Sequence, residues 1–273
     1  MTRTEAFAPA KINLTLHVTG RRTDGYHLLD SLVVFADVGD VVRVAPSGSL
    51  SLSVSGPMAA GVPTDGSNLV MRAASAFGVP VSLDLEKHLP VAAGIGGGSS
   101  DAAATLKAIA GVTGLALPLD PLSLGADVPV CMVGSAARMG GIGEKVLPVS
   151  LPDLHAVLVN PGMGVFTPSV FKAMDCRNNP AMDTIPVGAD AAHFIRWLRD
   201  QRNDLEAAAV RLQPVIGTVL GALHRLGTAR LIRMSGSGAT CFALFDSRMD
   251  AEVQADILAD RHPDWWVRAC TLR

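Results

Sequence analysis

The sequence predicts an α+β protein of two domains. Three observations carry that prediction. Short stretches of alternating apolar and polar residues recur through the first half, a glycine cluster runs straight into a helix-like stretch, and helical and strand-like segments alternate through the second half.

Taken in order, Ile12, Leu14, Leu16 and Val18 alternate with Asn13, Thr15 and His17, the period of a half-buried strand. Leu50, Leu52 and Val54 repeat the pattern between serines, and Val81, Leu83 and Leu85 repeat it again. That third strand gives way at His88-Leu89-Pro90 to the glycine cluster, after which Asp101 to Ile109 reads as a helix. Two prolines bracket a polar stretch at Leu147 to Pro152, so a domain boundary is expected near residue 150, giving domains at 1–150 and 151–273. Beyond a strand at His155 to Val159, helices are expected at Ala189 to Arg199, Asn203 to Leu212 and Val215 to Leu226. Strands at Arg230 to Met234 and Thr240 to Phe245, a helix at Ala251 to Asp260 and a strand at Trp265 to Thr271 close the chain, and no internal repeat is visible.

The 273 residues are enough for either one large core or two ordinary ones. Hydrophobic residues make up 49% but aromatics only 4%, so Ala, Val and Leu must fill the interior. Lys and Arg supply 23 positive charges against 25 from Asp and Glu, a net of −2 with no run of one sign, which disfavours nucleic acid as a partner. Cys131, Cys176, Cys241 and Cys270 are scattered, with no zinc-ligand spacing, and read as reduced small hydrophobes. Apolar runs such as Ala156 to Val159 fall far short of the ~20 residues that cross a bilayer. Arg3, Glu5 and Lys11 interrupt any signal-peptide core, so no membrane association and a cytoplasmic location are expected.

The strongest local signal is Gly94-Ile95-Gly96-Gly97-Gly98-Ser99-Ser100-Asp101. Glycines let backbone approach a ligand closely, and the following helix offers unpaired N–H groups and a positive dipole end to an anion, so the segment suits a phosphate. It is not a Walker A loop, since no lysine lies between Gly94 and Asp101, nor a dinucleotide fingerprint, since Ser99 stands where glycine is needed. The plainer reading is a turn with Ser or Asp as helix N-cap.

Asp127, in Gly125-Ala126-Asp127-Val128-Pro129, has small and apolar neighbours, and a desolvated carboxylate suits a base toward a hydroxyl; alone, such a stretch is more often a turn or cap. Lys11 opens the first strand and becomes catalytic only if a carboxylate partners it. Asp24-Gly25-Tyr26-His27 holds the sole tyrosine beside a histidine, either a tight turn with an aromatic lid or a stacking platform with a hydrogen-bonding neighbour. Met234 to Thr240 links two strands, and its glycines fit either hairpin chemistry or a second close approach to a polar ligand.

Together, Pro9-Ala10-Lys11-Ile12-Asn13-Leu14, Asp24 to His27, Pro90 to Ser100, Gly125 to Pro129 and Ser235-Gly236-Ser237-Gly238-Ala239 resemble, in sequence and order, the GHMP family of small-molecule kinases. The resemblance spans nearly the whole chain. It implies an N-terminal domain like ribosomal protein S5 domain 2, a ferredoxin-like C-terminal domain and an active site between them. It implies ATP and Mg²⁺ as cofactors and a small-molecule acceptor; within the family, the Lys11-Ile12-Asn13, Asp24 to His27 and Gly125 to Pro129 segments resemble those members whose acceptor is a cytidine diphosphate-linked methylerythritol, phosphorylated on its 2-hydroxyl for isoprenoid precursor synthesis. Nothing in the sequence singles out the Mg²⁺ ligands or the oligomeric state.

Carried over by motif, Pro90, Val91, Ala92, Ala93, Gly94, Ile95, Gly96, Gly97, Gly98, Ser99 and Ser100 would wrap the ATP phosphates, and Asn68 and Leu69 would lie near the adenine. Asp127 would be the base and Lys11 its partner. Tyr26 and Phe171 would flank the cytosine, with His27 on its hydrogen-bonding edge and Asn13 and Thr167 near the sugar alcohol. Asn203-Asp204 would shape the site. The link from the loop helix to Gly125, Leu115 to Leu124, is shorter and richer in Pro and Leu than relatives have.

Overall fold

The computed structural model describes residues 3–273 and is α+β. Its contacts gather into two units: the chain up to Lys11 with Val38–Val91 and Gly96–Gly134, and Ile12–Asp37 with Ala92–Ile95 and Ser135–Arg273. Both are built from non-consecutive segments, so no single position separates them, and residue 150 lies inside the second unit.

Two long strands, β1 (Thr4–Arg21) and β2 (His27–Pro46), pair with each other and contribute residues to both units. In the first unit, β2 pairs antiparallel with β4 (Val81–Glu86), which pairs in parallel with β3 (Ser51–Ser55). Helix α1 (Leu69–Ala76) provides the crossover that parallel neighbours require. It packs on α2 (Gly97–Thr113), which also touches the short α3 (Val128–Val133). Alanines and Leu106 and Ile109 bury much of α2, a composition that lets helices approach closely.

The second unit contains β5 (Ala137–Gly141), β6 (Lys145–Pro148), β7 (Leu154–Asn160), α4 (Thr167–Lys172), α5 (Ala191–Asp200), α6 (Glu206–Leu212), α7 (Val215–His224), β8 (Leu231–Met234), β9 (Cys241–Phe245), α8 (Arg248–Arg261) and β10 (Trp266–Leu272). The strands β10, β7, β9 and β8 lie side by side in that order, every pair antiparallel. From β7 onward the chain therefore runs strand, helices, two strands, helix, strand, with sheet order fourth, first, third, second, the ferredoxin-like arrangement the resemblance implies. Its core gathers Val157, Val159, Ile216, Val219, Leu223, Phe245 and Leu258. Fully burying a side chain such as Phe245 stabilises the fold by about 1.5–3 kcal/mol.

One buried polar contact pins an irregular segment to this unit. Asp30 accepts from Arg138 at both oxygens, at 2.7 and 2.6 Å, and from the Met182 N–H at 2.9 Å. Burial alone would raise the Asp30 carboxyl, but the Arg138 hydrogen bonds and the Met182 N–H outweigh it and hold it below the ordinary 3.8. A depressed carboxyl stabilises the fold above its unfolded pKa, and that contribution disappears as pH falls through the folded value. Asp30→Asn is expected to cost about 1.5–3 kcal/mol at pH 7 and progressively less below pH ~4, read from urea midpoints across that range. A constant difference down to pH ~2 would refute it.

Among the described residues no helix is long and apolar enough to cross a membrane.

Candidate functional site

In the first unit the glycine cluster begins α2 without a side-chain cap. Gly96 is the N-cap, at φ 62°, and neither a serine nor Asp101 caps the helix, contrary to the plainer reading of the sequence. The amides of Gly97, Gly98 and Ser99 precede the first intrahelical donor, Ser100, whose N–H reaches the Gly96 carbonyl at 2.8 Å. Three amides and the dipole end of a 17-residue helix thus stand together with no intrahelical acceptors.

Lys11 and Asp127 meet beside this helix start. Lys11 Nζ lies 2.9 Å from Asp127 Oδ1, the lysine side chain 4% exposed and the aspartate side chain 32%. Asp127 occupies the N-cap position of α3 yet makes no capping hydrogen bond; its carboxylate turns to Lys11 instead. A Cβ at Gly96 would stand 3.1 Å from Lys11 Cβ, so the lysine stem runs along the glycine that starts α2. A Cβ at Gly125 would stand 3.9 Å from Ser99 Oγ, which brings the Asp127 segment to the same helix start. The short link before it contains a 3₁₀ turn, Pro121–Ser123, capped by Asp120.

Asn68 is the N-cap of α1. Its Oδ1 accepts from the Val70 N–H at 2.9 Å and its Nδ2 donates to the Pro63 carbonyl at 2.7 Å, so its side chain is committed to shaping the turn. Leu69 follows, with Cδ1 3.7 Å from where a Cβ on Gly98 would stand, so the segment lies next to the glycine cluster. Pro90 is buried and Val91 exposed.

The second unit holds the middle of the loop. Ala92 adopts φ 53°, and Ile95 is buried. The Ala93 carbonyl accepts from Thr240 N–H at 3.1 Å. Ser235 Oγ donates to the Gly94 carbonyl and accepts from the Asn13 N–H, both at 3.1 Å. A Cβ on Gly94, at φ 73°, would stand 2.6 to 2.8 Å from the backbone of Ser235 and Gly238, so only glycine fits. Asn203 holds the β8–β9 turn in turn, donating to the Met234 and Gly236 carbonyls at 2.8 Å each. The serine–glycine turn, left open by the sequence, is therefore a brace for the loop. Ser235 was not among the site residues expected, and its signal was its place in a glycine-rich turn too polar for a plain hairpin.

Around Asn13 and Thr167 there are unsatisfied or exchangeable polar groups. Asn13 Nδ2 donates to Ser31 Oγ at 2.8 Å, while its buried Oδ1 has no partner among the described residues. Thr167 Oγ1 and Ser237 Oγ share a hydrogen bond of 2.7 Å.

The aromatic residues are arranged differently from a simple two-sided platform. His27 stacks on Phe171, ring centroids 4.7 Å apart and planes 17° apart, while Tyr26 is 60% exposed. Burial, with Arg21 and Arg177 nearby, lowers the His27 pKa, which favours the neutral ring, and its buried Nε2 has no partner among the described residues.

Known proteins give this geometry a family. The model for the GHMP kinases N terminal domain matches residues 68–138, and that for GHMP kinases C terminal matches residues 189–264. A 4-diphosphocytidyl-2-C-methyl-D-erythritol kinase of Dinoroseobacter shibae is 57% identical over 98% of this chain and 94% of its own length. The chain belongs to the GHMP kinase family. Another GHMP relative, the 4-diphosphocytidyl-2-C-methyl-D-erythritol kinase of Paracoccus denitrificans, is 54% identical over 97% of this chain and 95% of its own. A crystal structure of 4-(cytidine 5'-diphospho)-2C-methyl-D-erythritol kinase superimposes with a TM-score of 0.79 at 35% identity, covering 98% of this chain and 99% of the other.

Proposed function

We propose that this GHMP kinase transfers the γ-phosphoryl group of ATP to the 2-hydroxyl of 4-diphosphocytidyl-2-C-methyl-D-erythritol, giving the 2-phosphate and ADP in the non-mevalonate route to isoprenoid precursors. Relatives with this activity match it over nearly the full chain at more than half identity. The observation that carries the chemistry is the Lys11–Asp127 pair at 2.9 Å beside the uncapped start of α2.

In this reading the acceptor oxygen attacks the γ-phosphorus as its proton passes to the Asp127 carboxylate, and the bond to the β-phosphate oxygen breaks, leaving ADP. Lys11 holds the carboxylate in place, and the Gly97, Gly98 and Ser99 amides receive charge on the phosphate oxygens. Positioning and fixed dipoles supply most of the rate. ATP brings Mg²⁺ as its usual companion. Among the described residues no group of three or more His, Cys, Asp and Glu side chains converges as a metal cage, and no step here is assigned to the ion.

The acceptor's cytosine is assigned to Tyr26, Phe171 and His27, with the unpartnered His27 Nε2 as the polar atom available to a base edge. Asn13 Oδ1 and Thr167 Oγ1 are assigned to the sugar alcohol. Because His27 covers one face of Phe171, a base on that ring must take the other face or displace the imidazole. Phe171→Ala is expected to raise KM for the cytidyl substrate roughly 5- to 150-fold, the equivalent of about 1–3 kcal/mol of stacking, with KM for ATP unchanged. An unaltered acceptor KM would remove Phe171 from the platform.

The test of the function is an ADP-coupled assay offering the cytidyl-linked alcohol and, separately, the same alcohol phosphate without cytidine. ADP should appear with the first alone. Equal rates with both, or turnover only with homoserine, mevalonate or a sugar, would overturn the proposed acceptor.

A further inference from the structure

An ammonium buried between two carboxylates lies under the glycine loop and takes no part in the chemistry above. Lys87 Nζ contacts Asp40 Oδ2 and, at 2.8 Å, Asp101 Oδ2. All three side chains are at least nine-tenths buried. Lys87 stands just past β4, where Val81, Leu83 and Leu85 face the core, so the strand's alternation carries an ionisable group inward. Its backbone is fixed as well: Lys87 N–H donates to the Ser55 carbonyl at 2.8 Å and its carbonyl accepts from Met58 N–H at 3.0 Å. Gly56, at φ 93°, leaves no room for a Cβ against it.

The three residues connect both stems of the loop within the first unit. Asp40 Oδ1 accepts from the N–H groups of His88 and Leu89, at 2.6 and 2.8 Å, and so holds the strand-side stem that leads to Pro90. Asp101, the fifth residue of α2, belongs to the helix-side stem, and Lys87 ties it to Asp40. A lone buried ion is strongly unfavourable, so such a cluster persists only where its members satisfy one another. Here the match is incomplete: two carboxylates share one ammonium, and Asp101 Oδ1 has no partner among the described residues. Burial, with Asp40 adding to it and Lys87 opposing, pushes the Asp101 carboxyl up to about 7. Burial would lower the Lys87 ammonium, but Asp101 and Asp40 outweigh it and leave it above its ordinary value.

We propose that Lys87, bracketed by Asp40 and Asp101, is a positioning residue for the phosphate loop: it ties the strand-side stem to helix α2 and thereby sets where the Gly97, Gly98 and Ser99 amides meet ATP. The inference rests on the reading of Pro90 to Ser100 as the ATP loop. Its ammonium also offsets the Asp101 charge close to the helix end that receives phosphate, where a free carboxylate would repel it.

The test compares Asp101→Ala with Asp101→Asn in the full chain. Alanine severs the helix tie while leaving Lys87 and Asp40 as a neutral pair, so the fold should survive; asparagine keeps an acceptor for Lys87. ADP affinity by titration calorimetry needs no acceptor. It is expected to fall roughly 10- to 100-fold in Asp101→Ala, with KM for ATP rising in step and KM for the acceptor unchanged, and to return to near wild type in Asp101→Asn. Lys87→Met should weaken ADP binding similarly, and Lys87→Arg should restore part of it. Unchanged ADP affinity in Asp101→Ala, equal shifts in both KM values, or no rescue by asparagine would overturn the proposal. A wild-type protein that binds ADP but leaves the cytidyl alcohol untouched would refute the acceptor assignment instead, and the variant titrations would still decide this one.

Discussion

Asp127→Asn is expected to lower turnover roughly 10²–10⁴-fold while leaving ADP affinity and thermal stability close to those of the parent. The amide keeps the shape of the carboxylate and an oxygen for Lys11, whose Nζ lies 2.9 Å from Asp127 Oδ1, but it cannot take the acceptor's proton. Asp127 makes no capping bond to α3, so the helix loses none on substitution. The side chain is one-third exposed, which limits any cost to stability of losing its charge. Single-turnover rates, ADP titration and a melting curve on one preparation separate these effects. Near-normal turnover would remove Asp127 from the base role, and loss of ADP binding along with turnover would make it a structural residue.

Gly94→Ala should do more damage than any other single methyl in the loop. A left-handed conformation costs a non-glycine residue about 1–2 kcal/mol, and overpacking against neighbours that cannot move costs about 1–3 kcal/mol. The neighbours here are backbone atoms of Ser235 and Gly238, at 2.6 to 2.8 Å from the added carbon, so no rotamer change relieves the contact. The sum, about 2–5 kcal/mol, falls on the segment assigned to ATP, and kcat/KM for ATP should drop at least 100-fold, the penalty of a displacement of about 1 Å. Gly66→Ala, where nothing lies within 4 Å of the new carbon and φ is ordinary, is the matched control and should leave both stability and kcat/KM intact. Equal behaviour of the two variants would show that the loop yields easily and that the brace does not set its position.

The regular strands and helices of the second half were legible in the sequence because each carries its own period. The strands expected at His155 to Val159 and Thr240 to Phe245, and the helix at Val215 to Leu226, lie within a residue or two of those observed. The first half was less legible. β2, at His27–Pro46, has a long buried run, Asp30 to Ala36, that shows no alternation, so the period-two signal fails along it. Helices α1 and α4 are too short to show a period, and the short β5 and β6 end in glycine and proline.

In the candidate site the glycine cluster was visible as a phosphate-compatible turn from composition alone, but the partnership of Lys11 and Asp127 was not, because the two residues lie more than a hundred positions apart. Only the resemblance joined them. The Asp40–Lys87–Asp101 cluster went unread for a related reason: each member looks like an ordinary surface charge until the register of β4 is known. An inward lysine at the end of an apolar alternation was the available clue.

The contact between Ser235 and the Gly94 carbonyl, with Thr240 on Ala93, has a bearing on how the protein matures during synthesis. The glycines of the loop leave the ribosome first, and the hydroxyl and amide that hold two of its carbonyls follow more than 140 residues later. A nascent chain halted before β8 carries the whole glycine cluster without the clasp that shapes it, so the loop takes its final form only once β8 and β9 have been made.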